Sequence, residues 1–88
     1  MMNKLIVEFL GTALLTFVVL YTGNYLAIGT TLAIACLLGG KISGGAFNPA
    51  VAIGMMSAGH LGANELMPYI IAEMAGALVA YELLKAIR

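Results

Sequence analysis

Charge is what this sequence lacks most. Only 9% of its 88 residues are Asp, Glu, Lys or Arg, against about a quarter in an ordinary globular domain. Four Lys/Arg balance four Asp/Glu, so there is neither a basic face for nucleic acid nor an acidic tail. The single cysteine, Cys36, excludes an intrachain disulfide framework and a zinc site built from the cysteines of one chain. No nucleophile–base pair, metal cluster or phosphate loop is visible, so neither catalysis nor a cofactor is expected. What is present is apolar: 62% of the residues are hydrophobic and the mean hydropathy is +1.05. Eleven glycines without a collagen period then suit close helix–helix approach in a bilayer rather than disorder. The chain is too short for more than one soluble domain and too apolar to be one. It reads as an integral, multi-pass membrane protein.

Three apolar stretches predict spans over about 5–22, 25–40 and 67–84. The first, Leu5–Thr22, carries one acid, Glu8; as a helix it is ~27 Å long, about the thickness of the hydrocarbon core. Thr22-Gly23-Asn24 signals a tight reversal. The second stretch is shorter and needs Gly40 and a snorkelling Lys41 to reach the interface. In the third, Pro68 is accommodated only if it falls in the first turn, where the N–H groups are unpaired anyway, which makes Asn64 or Met67 the expected cap. Lys4 ahead of an apolar run also resembles the start of a signal peptide, but the run is long and two further spans follow it.

Between the second and third spans lies GGKISGGAFNPAVAIGMMSAGHLG, Gly39–Gly62. Ile42–Phe47 is too rich in glycine for a good helix, since each glycine costs ~1 kcal/mol against alanine. Asn48 is then a preferred N-cap and Pro49 fits the first helical position, while Gly59 is placed to stop the helix. The result is an irregular loop and half-helix over about 42–59, the helix ~15 Å long and half a membrane deep. An amphipathic helix lying on the membrane surface would need a charged face, and only Lys41 and His60 flank this segment. The apolar pattern instead predicts a re-entrant segment. Irregular backbone at that depth is tolerated only where protein buries it or where it lines an aqueous path. Successive loop carbonyls then form a ladder of acceptors, and the helix N-terminus disfavours cations and leaves Asn48 to donate its amide.

Asn48-Pro49-Ala50, within Ile42–Val51, resembles the first of two signature loops of the aquaporin, or major intrinsic protein, family. Glu8-Phe9-Leu10-Gly11-Thr12 is similar to that family's opening motif, and Tyr69-Ile70-Ile71-Ala72-Glu73 with Gly76-Ala77 to its third-helix pattern. Together these segments cover Leu5 to about Leu84. The resemblance implies an all-α fold of three transmembrane helices plus one re-entrant half-helix, and a passive channel for water or small uncharged solutes. It implies a pore constriction at Asn48, Pro49 and Ala50, with pore-lining carbonyls from Gly44, Gly45, Ala46 and Phe47. Half-helix dipoles that repel protons and cations come with the resemblance. By the same resemblance, Ile28, Gly45 and Val51 fall at the selectivity filter. Val51 corresponds to the position where the second signature loop carries an arginine, so the filter is wider and more apolar than a strict water filter. Glycerol, ammonia and dissolved gases then join water as candidate solutes. Glu8 and Glu73 are the acids deepest in the spans; intramembrane carboxylates are costly and face the bundle interior, which suits them to support the loop. Glu73 departs from the glutamine the family commonly carries.

The family places two inverted repeats in one chain, and this sequence matches the first. A second half must therefore come from elsewhere. The end carrying the N-terminus has Lys4 and Lys41, and the opposite end Lys85 and Arg88, so the positive-inside rule has almost nothing to act on. A chain without orientation bias inserts both ways, and two opposed copies recreate an inverted repeat with Asn48 facing Asn48. The expected partners are therefore membrane lipid, an inverted second copy or a separately encoded second repeat, and small neutral solutes, with no nucleic acid. A truncated reading of a longer gene is the other source of the missing half. Competing functions are a non-conducting small membrane protein and a proton-coupled dual-topology exporter using Glu8 or Glu73. Of the remaining residues, His60 reads as a solvated loop histidine and Cys36 as an apolar filler. Tyr21, Tyr25, Tyr69 and Tyr81 read as interfacial anchors, and Gly11 and Gly76 as sites of close helix crossing.

Overall fold

In the computed structural model all 88 residues are described, and they form four helices: α1 (Met2–Thr22), α2 (Tyr25–Ser43), α3 (Pro49–Ser57) and α4 (Ala63–Ile87). Local chemistry explains most of the boundaries. Gly23 takes the left-handed conformation (φ 57°) that closes α1. Asn24 then caps α2, its side chain accepting from the N–H groups of Leu26 and Ala27 at 3.0 Å each. Two residues thus suffice to reverse the chain, because each satisfies backbone groups that the helix ends leave unpaired. Asn48 caps α3 by accepting from Ala50 N–H at 2.7 Å, with Pro49 at the first helical position.

The outer helix ends run a turn past the expected spans, to Met2 and Ile87, and two internal boundaries differ as well. The second helix does not fade at residue 40 but continues through Ile42 to Ser43, and the left-handed Gly44 (φ 86°) ends it. Tertiary bonds hold this last turn: the Ser43 hydroxyl donates to Glu8 at 2.6 Å and the Tyr69 hydroxyl donates to the Ser43 carbonyl at 2.7 Å. The last helix starts at Ala63, so Pro68 lies inside it rather than in its first turn. The added turn is anchored by Glu65, whose carboxylate accepts from Gly62 N–H at 3.1 Å and from Lys4 Nζ at 2.8 Å. Pro68 withholds only the N–H that Asn64 would have received, and Asn64 is exposed, where water can replace it.

The helix α1 packs on both α2 and α4, and α3 packs on α4. At the α1–α4 crossing Gly76 lies against the backbone of Phe9 and Ala13, where any side chain would collide with the Phe9 carbonyl. The small core of Ala46, Ala52, Leu61 and Tyr69 joins the loop, α3 and α4. Only 14 of 88 residues are buried, while Leu10, Leu37, Leu38 and Leu78 stand 58–74% exposed. Such a surface suits lipid, or another apolar surface, rather than water. Both α1 and α2 are long and apolar enough to cross a membrane. The longer α4 carries Glu65, Glu73, Glu82 and Lys85.

Candidate functional site

The loop between α2 and α3, residues 44–48, is built around one carboxylate. Glu8 of α1 is fully buried (0% exposed). Its Oε1 accepts from Phe47 N–H at 2.8 Å, and its Oε2 accepts from Ala46 N–H at 3.2 Å and from the Ser43 hydroxyl at 2.6 Å. One acid therefore satisfies two loop amides that no helix could pair. Ser43 in turn accepts from Gly45 N–H at 3.2 Å. With the N–H groups of Gly45, Ala46 and Phe47 held inward on Glu8 and Ser43, the carbonyls of residues 44–47 are left almost uncommitted. The carbonyls of Gly44, Ala46 and Phe47 take no hydrogen bond within the chain, and that of Gly45 receives only the Cys36 thiol at 3.8 Å. Cys36, read as an apolar filler, is exposed, with its sulfur beside the loop.

Phe47 is the residue that sequence reasoning underrated. It has a left-handed backbone (φ 53°), which costs an L-residue roughly 1–2 kcal/mol. Its side chain is 3% exposed, and a Cβ on Gly11 or Gly39 would meet its ring. Gly11 thus makes the slot for this ring rather than a helix crossing. The sequence signal was there: Phe47 is the one aromatic side chain in a glycine-rich segment. Tyr69 likewise is no interfacial anchor. It is 1% exposed, and its hydroxyl ties α4 to the end of α2. Tyrosine spacing near a predicted span end was misleading because α4 begins four residues earlier than the apolar run.

Asn48 and Ala50 are exposed and Pro49 half-buried at the start of α3. The Asn48 Oδ1 is occupied by its cap bond, and its amide NH2 makes no hydrogen bond within the chain. Beside it opens a cleft of about 290 Å³ whose walls include Thr12, Thr16, Phe47, Asn48, Pro49 and Glu73. Glu73 is 1% exposed, and neither of its oxygens meets a hydrogen-bond donor; the Thr12 hydroxyl is also buried and unpaired. Val51 is 46% exposed on α3. Ile28 sits one turn into α2, fifteen residues from Ser43 at its other end, or ~22 Å along the helix. One copy of the chain therefore does not bring Ile28 together with Gly45 and Val51.

Comparison with known proteins converges on one group. The family described as Major intrinsic protein matches residues 19–88. Aquaporin Z of Brucella melitensis biotype 1 is 39% identical over 99% of this chain and 45% of its own length. Glycerol uptake facilitator protein-like 6 of Lactiplantibacillus plantarum is 40% identical over 97% of this chain and 44% of its own length. Aquaporin Z of Photorhabdus laumondii subsp. laumondii is 38% identical over 99% and 44%. The chain thus spans less than half the length of the curated relatives it matches. The chain therefore belongs to the major intrinsic protein family, and it is an integral membrane protein.

Proposed function

We propose that this chain forms one half of a passive transmembrane pore for water and small uncharged solutes, completed by a second, inverted copy. In this reading α1, α2 and α4 span the bilayer and the segment from Ile42 to Gly59 is re-entrant. The observation that carries it is the loop's division of labour. The N–H groups of Gly45, Ala46 and Phe47 are held by Glu8 and Ser43, while the Gly44, Ala46 and Phe47 carbonyls and the Asn48 side-chain amide are left without partners in the chain. Unpaired groups of that kind cost several kcal/mol each in hydrocarbon. A file of acceptors ending at a donor is what a hydroxylic solute needs in place of its hydration shell.

The second copy covers the exposed side of the loop and supplies what one chain lacks. With the copies antiparallel, Ile28 of one lies at the end where Gly45 and Val51 of the other enter, so each filter is shared. Both filters are apolar, which favours admission of glycerol-sized solutes, ammonia or gases beside water. The balance of Lys4 and Lys41 against Lys85 and Arg88 supports insertion in both orientations. The relatives named for water or glycerol channels support the solute class.

Osmotic shrinkage of proteoliposomes holding the full chain tests this reading. Shrinkage faster than in empty vesicles, lost in Asn48→Asp, is expected. Wild-type vesicles that shrink no faster with water, glycerol or urea as the permeant would overturn it.

A further inference from the structure

Glu73 is buried nearly as completely as Glu8, yet it takes no part in the loop's hydrogen bonding. Three buried side-chain atoms in the chain have no hydrogen-bond partner: Thr12 Oγ1 and the two carboxyl oxygens of Glu73. Both residues line one cleft, the volume of about 290 Å³ between α1, α4 and the start of α3. Thr12 is 4% exposed, and its Cβ lies against Gly76, one turn along α4 from Glu73. Its hydroxyl has an outlet that it does not use. A helical Thr or Ser readily donates to the carbonyl four residues back, as Thr22 does to Val18 at 2.7 Å, Thr31 to Ala27 at 2.7 Å and Ser57 to Ile53 at 2.9 Å. Thr12 makes no such bond to the Glu8 carbonyl, so its hydroxyl is left to the cleft. Thr16, one turn on, and Asn48, whose amide NH2 has no partner in the chain, complete the polar part of the wall.

Buried groups without a partner are rare in folded proteins, because each keeps the full cost of leaving water. Three of them in one cleft point to a ligand that hydrogen-bonds there, and the set defines its chemistry. Ionised or protonated, the Glu73 carboxyl keeps a free acceptor, so the ligand must donate. The Asn48 amide donates and the threonine hydroxyls do either, so the ligand must also accept. An acyl chain does neither, and no group of three acidic, His or Cys side chains exists in the chain to hold a metal ion. Water does both, and the cleft has room for several molecules at ~30 Å³ each. We infer that this cleft is a resident water site: ordered water, held by Thr12 Oγ1 and the Glu73 carboxyl, bridges α1 to α4 beside the start of α3. The site goes beyond the pore reading and does not depend on it. Its water is held by helix side chains and not by the Gly44, Ala46 and Phe47 carbonyls.

Hydroxyl-radical footprinting of the full chain in lipid vesicles tests the inference, because radicals made from bound water oxidise the side chains beside it. Met74, on the same cleft wall as Glu73, is the reporter, and the exposed Met67 near the start of α4 is the reference. The wild type should be oxidised at both. Thr12→Val and Glu73→Leu should each lower oxidation at Met74 several-fold and leave Met67 unchanged. Thr12→Ser, which keeps the hydroxyl, should label like the wild type. A wild type in which Met67 reacts and Met74 does not would overturn the inference. So would undiminished oxidation of Met74 in Thr12→Val, a change of nearly equal shape that removes only the hydroxyl's hydrogen bonding. Labelling needs no permeation. Oxidation of Met74 that depends on Thr12 and Glu73, in vesicles that shrink no faster than empty ones, would reject the pore reading and leave this site standing.

Discussion

The ring of Phe47 occupies space that exists only because residue 11 is glycine: a Cβ built on Gly11 would overlap the ring's Cδ1 and Cε1 edge. This contact joins α1 to the loop that carries Asn48, and it sits beside the Glu8 bond to Phe47 N–H. Ring burial and that bond together offset the left-handed backbone at Phe47. The opening motif and the signature loop are therefore two sides of one joint.

Gly11→Ala should accordingly be among the most damaging small substitutions in the chain. Overpacking of this kind costs about 1–3 kcal/mol, and here it also moves the Phe47 amide off Glu8. Gly29→Ala is the control, because a Cβ at Gly29 meets nothing within 4 Å. Thermal unfolding in detergent should show a clear fall in melting temperature for the first and no fall for the second.

Tyr69→Phe removes only the hydroxyl that donates to the Ser43 carbonyl at 2.7 Å. The ring should stay packed against Ala46, Ala52 and Leu61, so the loss is that of one buried hydrogen bond and the carbonyl it leaves unpaired, about 1–3 kcal/mol. Hydrogen exchange should show the last turn of α2 and residues 44–47 opening more readily, with the α1 amides unchanged. Uniform protection across both regions would contradict the role given to this hydroxyl.

Glu65 lies at the polar start of α4, outside the apolar spans. The Lys4 ammonium, and then the Gly62 N–H, hold its carboxyl below the ordinary value of 4.5. A carboxyl depressed on folding contributes stability above its unfolded value, and that contribution is lost as pH falls through the folded value. The wild type should therefore melt slightly above Glu65→Gln at neutral pH, and the gap should close in the acid range below about pH 4. The pair is open to solvent, so added salt should narrow the gap at neutral pH as well.

Orientation offers a direct test of the antiparallel pair. Lysines at Met2 and Asn3 should fix the N-terminal end in the cytoplasm, and lysines at Thr22 and Tyr25 should fix the opposite end there. Each fixed variant alone should lose solute-driven vesicle shrinkage, and the two produced together should regain it. Full activity from either variant alone would rule the antiparallel pair out.

Local chemistry in the sequence was enough to determine the membrane class, the Gly23–Asn24 reversal and the start of α3 at Asn48-Pro49. Each depends on residues a few positions apart: apolar runs set against bilayer thickness, and caps that satisfy the unpaired groups of a helix end. The features that only the tertiary structure decided involve partners distant in the chain. Ser43 stays helical because Glu8 and Tyr69 hold it, and Pro68 is tolerated mid-helix because Lys4 and Glu65 anchor a turn before it. Tyr69 and Gly11 have the packing roles they do because of which helix faces meet. A periodic pattern reports that a residue is apolar or costly to bury. It does not report which neighbour fills the slot or supplies the missing donor, because that depends on how α1 and α4 lie against the loop.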